Sequence, residues 1–314
     1  MTGRTRTALI ALSIVAAVLA MGLWLRSFGV SSQDMDRLAT RLTWWPAPLL
    51  FALLAGHVAL ASWRWSLIEV GLGGVRPRFR DAYAAGAFAL GLGTFLPAPI
   101  VNVACRGIGN RMSGASGLRG ALSGGIDQAA DLAVIILLAV PAAIAFVHRD
   151  VRIYLLGIAV MGLLGLALTM ALPTLARAAA RLWPSAGAGP LSARLNRRLL
   201  VQIYALSLLR TANLTAMTLA IHTMTGAATV SAIMVGIPLI TLAISAAMLP
   251  GAFGVSEWSF SVVLARFGVP SDEIVLFVLG NRIVLTILSL ALALAVLLSL
   301  LPALVRRGRA SPSL

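Results

Sequence analysis

Apolar runs of roughly 20 residues, the length that crosses a bilayer as helix, recur along the whole chain, separated by short polar segments rich in arginine. The pattern predicts full spans at residues 8–25, 46–68, 121–146, 153–172, 199–221 and 274–301. Two further apolar stretches are interrupted. Residues 82–96 carry Gly86, Gly91 and Gly93 and end in Leu96, Pro97, Ala98 and Pro99. Residues 230–249 run into Leu249, Pro250, Gly251, Ala252, Phe253 and Gly254, and residues 253–267 lead back out. A segment that leaves an arginine-rich loop and returns to one reads as a re-entrant hairpin. Irregular backbone of that kind survives at membrane depth only when buried in protein or lining a polar cavity. The expected fold is therefore all-α and polytopic, with about six full spans and two opposed re-entrant hairpins, or eight spans if the hairpins are counted.

The order of these elements repeats. Two spans, a broken hairpin with Leu-Pro at its tip and one span occur twice, and Pro97 and Pro250 lie 153 residues apart in a chain of 314. With three full crossings in each half, the second half (about 151–314) enters inverted relative to the first (about 1–150) within one membrane domain. Proline-interrupted segments at corresponding places are the sequence pointer to an inverted-repeat transporter.

Composition agrees with the pattern: 60% of residues are hydrophobic and 11% charged, against about 25% charged in soluble domains. The net charge of +15 comes from arginine alone, since the chain has no lysine. The arginines fall mostly between apolar runs, as cytoplasmic loops require, so the charge does not imply nucleic acid. On the span layout sixteen arginines lie inside, six outside and three (Arg64, Arg210, Arg282) within spans, which puts both termini in the cytoplasm of a bacterial inner membrane. Trp44, Trp45, Trp63 and Trp65 are expected as interfacial anchors, and the polar segment 26–43 is expected outside. The first run resembles a signal peptide but lacks a small-residue cleavage site and reads as a retained span. One cysteine, Cys105, excludes an internal disulfide, and His57, His148 and His222 form no metal spacing. No cofactor or metal is expected. Without a P-loop, a nucleophile elbow or any lysine to complete a phosphate loop, the chain offers no ATPase or hydrolase motif.

The candidate chemistry lies in the polar residues at membrane depth, where an ionisable group is retained when it pairs or acts. Glu257, beside Ser256, follows the break at Gly251 and Gly254. It is expected in the first turn of a half-helix, whose unpaired amides and positive dipole end favour a carboxylate. Its partner is expected to be Arg210 or Arg282. At the first hairpin, Asn102, Arg106 and Arg111 follow the break without an acid. Asp127 and Asp131, four apart on one helix face, are expected to pair with Arg106 or to relay protons. Gly120 and Gly124 form a spacing that admits close helix approach. Substrate or ion-pair candidates are thus Arg106, Arg210, Arg282, Asn102 and Ser256, charge partners Glu257, Asp127 and Asp131, and hairpin breaks Pro97, Pro99, Pro250, Gly251 and Gly254.

The residues Trp63–Trp65, then "FLPAPIVNVACR", then "ALSGGIDQAADL", and later "MLPGAFGVSEWSFSVVLARFGVPSDE" resemble the transmembrane, flippase-like family of lysylphosphatidylglycerol synthases. The likeness runs from the second span to the sixth, and its most specific part is Leu249-Pro250 followed by Gly254, Val255, Ser256 and Glu257. Asn102 stands near the place where the family usually shows a glutamate. Asp127-Gln128 replaces its usual Glu-Arg. The resemblance implies the lipid-moving membrane part, without the soluble aminoacyl-transferase domain of full-length synthases. The expected function is transport of an anionic or polyprenyl-linked lipid between leaflets. The alternatives are an enzyme or subunit in aminoacyl-lipid, hopanoid or lipid-linked glycan synthesis, and a small-solute or ion exporter. The expected partners are membrane lipids, with a homo-oligomer or a partner enzyme left open.

Overall fold

The computed structural model describes residues 3–182 and 196–309, with side-chain surroundings for 15–175 and 196–301. The expected inside charges at Arg4, Arg6, Arg177, Arg181, Arg306, Arg307 and Arg309 lie outside the described side chains. Arg194 and the stretch 183–190 lie outside the described residues.

Among the described residues eleven helices follow in chain order: α1 (Gly3–Ser27), α2 (Ser32–Arg41), α3 (Ala47–Gly71), α4 (Phe79–Gly93), α5 (Ala98–Met112), α6 (Gly117–His148), α7 (Val151–Leu182), α8 (Arg197–Thr225), α9 (Val230–Ala247), α10 (Val255–Arg266) and α11 (Ser271–Arg309). A single 3-10 turn, Pro250–Ala252, links α9 to α10. Among the described residues there is no strand, and six helices (α3, α6, α7, α8, α9, α11) are long and apolar enough to cross a membrane. The bent pair α1–α2 makes a seventh if counted as one span. The chain is an all-α polytopic membrane protein. The first arm of the second broken segment, α9, reaches 18 residues and is long enough to span by itself, whereas α4 and α5 have 15 each.

The polar segment 26–43 contains a helix, α2. α2 turns 86° from α1, starting at a capping box in which Ser31 and Asp34 bond reciprocally. Contacts between helix ends sort the bundle into two poles. At one, Arg41 pairs with Glu273 at 2.6 Å, the Thr43 amide donates to Met224 O, and Arg266 donates to Phe146 O. At the other, Arg119 meets Glu69 at 3.3 Å, Ser113 donates to Asp81, and Arg80 donates to Ser299 O. The α4–α5 hairpin starts from the second pole and the α9–α10 hairpin from the first. Their tips meet in the interior, where the Gly251 amide donates to Leu96 O at 3.2 Å.

Proline and glycine create these tips. Pro97 and Pro99 open α5, where a missing amide costs nothing because the first-turn amides have no helical partner. At the second tip Met248, Gly251, Ala252 and Gly254 all take positive φ, which ends α9 and swings the chain into α10. Gly251 at φ 57° lies against the Thr94 carbonyl, with no room for a Cβ. The close approach expected of Gly120 and Gly124 is present. A Cβ on Gly124 would meet the Arg106 side chain at 3.1 Å, and one on Gly120 would meet the Arg106 carbonyl at 2.7 Å, so α5 lies hard against α6.

The apolar core joins α3, α8, α9, α10 and α11 through residues such as Leu54, Ile221, Ile233, Leu264 and Phe277. In the described part of α7 only Tyr154, Gly165 and Pro173 are buried and about half of the residues are exposed, as in a helix with one face toward lipid. Two expectations about arginine and tryptophan are corrected. Trp65 is fully buried, donating from Nε1 to Ser123 Oγ at 2.8 Å, and is no interfacial anchor; Trp44, Trp45 and Trp63 are exposed. Arg106 is not a loop arginine but a buried residue midway along α5.

Candidate functional site

A cavity of about 390 Å³ lies where the two hairpin tips meet, within the roughly 300–1,000 Å³ of small-molecule sites. A second of about 280 Å³ adjoins it, and His57, Pro99, Gln128 and Arg210 line both. The main cavity takes Arg106 and Asn102 from α5, Arg210 from α8, Ser256 from α10, Arg282 from α11 and Gly251 from the second tip. The five residues expected to bind substrate therefore face one space, although they come from four helices. Ile237, Ile240, Leu249 and Leu285 give the rest of the wall an apolar character. Arg111, at the end of α5, is exposed and lies outside this space.

An arginine at mid-membrane costs about 2.5–3.5 kcal/mol on insertion scales, so how each is satisfied tells what it does. Arg64, fully buried in α3, has a partner at each of its three nitrogens. Its Nε donates to Asp127 Oδ1 at 2.7 Å, Nη2 to Asp127 O at 3.0 Å, and Nη1 to Ser207 Oγ and to Asp131. These bonds hold α3, α6 and α8 together, and Arg64 does not line the cavity. The expected pairing of Arg106 with the aspartates is present only to Asp127, at 3.9 Å; Arg64, bound to both aspartates, and Arg210, bound to Asp131, lie closer. The signal was in the sequence, because Arg64 is an ionisable residue inside an apolar run. Which acid it meets does not follow from the sequence, since Arg64 lies 63 residues from Asp127.

The three cavity arginines differ from Arg64. Each is anchored yet keeps an N–H without a partner. Arg106 lies over the Trp65 ring at 4.8 Å and donates to Ala82 O at 3.2 Å, leaving Nε free. Arg210 pairs with Asp131 and donates to His57 Nε2 at 3.1 Å, again leaving Nε. Arg282 donates from Nε to Glu257 Oε1 and from Nη1 to Gly251 O, both at 2.8 Å, and lies 4.2 Å over the Phe253 ring, leaving Nη2. A guanidinium only donates, so His57 accepts at Nε2 and is neutral. The carboxylates stand on the far sides of these arginines: Asp127 and Glu257 do not line the main cavity, and Glu257 is 2% exposed.

Glu257 is in the first turn of α10, with Arg282 rather than Arg210 opposite it. Ser256 makes no cap bond; it lines the cavity instead. The Arg282 bond to Gly251 O ties the strained second tip to α11, so the break and the ion pair form one unit. Guanidinium groups that line a cavity and are anchored by other contacts suit an anion such as phosphate or carboxylate. Among the described residues no cluster of three or more His, Cys, Asp or Glu could hold a metal ion.

The model of the lysylphosphatidylglycerol synthase TM region matches residues 9–293. The chain belongs to that family. The match includes Asn102, Arg106, Arg210, Ser256 and Arg282 and reports no other domain. No curated protein and no solved structure matches the chain. The family's name places the chain among membrane regions tied to lipid, and the chain's own residues supply the detail of the site.

Two further groups were not anticipated. Glu69 and Asn110, both fully buried, join α3 to α5 near the second pole through a 3.2 Å bond from Asn110 Nδ2, and Arg119 closes the cluster. His57 and Gln128 line both cavities; a lone histidine in an apolar run gives no spacing from which to infer this.

Proposed function

We propose that this protein moves a lipid with an anionic headgroup, a phospholipid or a polyprenyl-linked lipid, between the leaflets of a bacterial cytoplasmic membrane. The observation that carries the reading is that Arg106, Arg210 and Arg282 line one cavity at the meeting point of two broken hairpins. The headgroup sits among the guanidinium groups while the acyl or prenyl tail stays in the bilayer. The second cavity, lined by Pro99, Asp131, Leu132 and Ile135 among others, is the headgroup's path between the main cavity and the outer faces of α5 and α6. Membership of a lipid-synthase membrane family supports the choice of lipid over a soluble solute.

In this reading the two hairpins are the equivalent parts of inverted halves, about 1–150 and 151–314, and open toward opposite leaflets. Both termini face the cytoplasm. Transport proceeds as the Leu96–Gly251 contact between the tips opens and closes. The test is reconstitution of the purified chain into vesicles carrying headgroup-labelled phosphatidylglycerol or a labelled polyprenyl-phosphate lipid. Label in the inner leaflet should become accessible to an external quencher faster than in protein-free vesicles, and slower again with Arg282→Gln. Equal rates with and without protein for every lipid class, beside a working control flippase, overturn the reading.

A further inference from the structure

We infer that a crevice on the outer surface at the second pole, separate from the central cavity, holds one anionic phospholipid of the surrounding leaflet, which is bound there and not transported. The crevice has a volume of about 410 Å³ and is lined by Trp63 and Ser66 of α3, Arg76 and Pro77 of the loop that follows, and Phe79, the first residue of α4. None of the five lines either inner cavity, so the inference stands apart from what the cavity carries. Its depth favours a lipid. The chain turns at Gly73, φ 77°, so close to α3 that a Cβ on Gly74 would meet the Glu69 carboxylate at 2.5 Å. Helix resumes only at Phe79, and the intervening Arg76 and Pro77 border the same space as Ser66 and Trp63. At a helical rise of about 1.5 Å per residue, those two lie roughly 8–12 Å back along α3 from its end at Gly71. The loop therefore folds back along the span and sets Arg76 beside its flank. A soluble acidic partner would meet arginines at the helix ends; a lipid headgroup meets one set back along a span.

Charge and surface select the kind of lipid. Arg76, Arg78 and Arg80 are exposed, and no ion pair among the described residues involves them. The acids nearest in the chain are engaged elsewhere: Glu69 is buried between Asn110 and Arg119, and Asp81 accepts from Ser113. Arg80 donates to Ser299 O and lines a neighbouring crevice against α11, which shares Phe79 as a wall. Arg76 is left as the cation of this one, and the buried Pro77 after it favours extended backbone at that residue. A guanidinium gives a phosphate two parallel donors, and an arginine near the membrane surface attracts anionic headgroups. Trp63 and Phe79, 52% and 55% exposed, offer aromatic surface to the upper acyl chains, as such residues do at a membrane interface.

The experiment reconstitutes the full chain into phosphatidylcholine vesicles that contain a small, equal fraction of one of two photoreactive probes. These are phosphatidylglycerol and phosphatidylcholine, each with a diazirine near the headgroup end of one acyl chain, and the crosslinked residues are mapped by peptide mass spectrometry. Label at Trp63 and Phe79 is divided by label at Leu172 and Leu175, exposed residues of α7, which removes bulk contact. The normalised label should favour phosphatidylglycerol by about fivefold, the preference that one arginine near the surface gives. Arg76→Gln should bring the two probes level. Arg111→Gln removes an exposed cation at the same pole but outside the crevice, and should leave the preference unchanged. Level probes in the wild type, no label at Trp63 or Phe79 from either, or a preference that survives Arg76→Gln overturns the inference. An equal fall with Arg111→Gln overturns it in favour of diffuse attraction. Suppression by excess water-soluble glycerophosphoglycerol overturns the lipid as occupant. Label inside the cavity falls on other residues, such as Leu285, so failure here leaves the transport reading standing, and failure of transport leaves this site standing.

Discussion

The backbone amide of Gly251 donates to the carbonyl of Leu96 at 3.2 Å, joining the two Leu-Pro tips across 155 residues of chain. Arg282 donates to the carbonyl of the same glycine. One residue thus couples the first hairpin, the second hairpin and the arginine that reaches into the cavity.

Gly251→Ala tests this coupling. Its φ of 57° disfavours a side chain, and a Cβ would press on the Thr94 carbonyl and the Phe253 ring. Left-handed backbone costs a non-glycine residue roughly 1–2 kcal/mol, before any clash. Thermal unfolding in detergent should show a clearly lowered midpoint, with lipid transport lost more than stability. A wild-type midpoint and rate together would sink the assignment.

Arg64 is expected to be structural. Arg64→Met removes the shared partner of Asp127 and Asp131 and leaves buried carboxylates uncompensated, a loss of about 3–5 kcal/mol. Adding Asp127→Asn should recover part of it. Asp131 keeps Arg210, so recovery through Asp127 is the sharper half of the cycle. Additive losses in the double variant would contradict the pairing.

Arg282→Lys separates charge from geometry. A lysine keeps the positive charge but cannot hold Glu257 and Gly251 O while presenting a third N–H. A hydrogen bond to a charged group contributes about 1.5–3 kcal/mol, so transport should fall by roughly ten- to a hundredfold while the purified protein stays folded. Retention of the wild-type rate would show that the charge alone suffices.

The start of α2 should respond to acid. The Ser31 amide and hydroxyl both donate to Asp34 at 2.9 Å and hold its carboxyl below its ordinary value of 3.8. Because the folded value is depressed, the cap is fully formed above the unfolded value and is lost as pH falls through the lower, folded one. Amide exchange at Ser31, extrapolated to common intrinsic rates, should lose protection below about pH 4. Asp34→Asn should remove that dependence, and a pH-independent protection factor in the wild type would refute it.

Orientation is open to labelling. With Cys105, which is buried, replaced by alanine, single cysteines at Asp36 and at Val75 mark the two poles. A membrane-impermeant maleimide should label position 36 in intact cells and position 75 only after lysis. The reverse pattern would invert the proposed topology.

Much of this molecule is legible in its sequence because a bilayer leaves few options. Runs of apolar residues must become helices, prolines and glycines must interrupt them, and the predicted spans and both breaks coincide with α1, α3, α6, α7, α8, α11 and the two hairpins to within a few residues at most boundaries, α7 and α11 running further. The first-turn position of Glu257 follows from the same local logic. Local pattern could not choose partners. Arg64 and Asp127 are 63 residues apart and Arg210 and Asp131 are 79 apart, so each pairing depends on how α3, α6 and α8 rotate against one another. Nearness in the chain pointed to Arg106 for the aspartates; packing gave them Arg64, because Trp65 and the close α5–α6 approach hold Arg106 over the cavity instead. The sequence determined the helices, their breaks and the stock of buried charge. Only the tertiary structure decided which charges pair and which arginines line the cavity, because desolvated charges are satisfied by contacts that helix packing alone brings within reach.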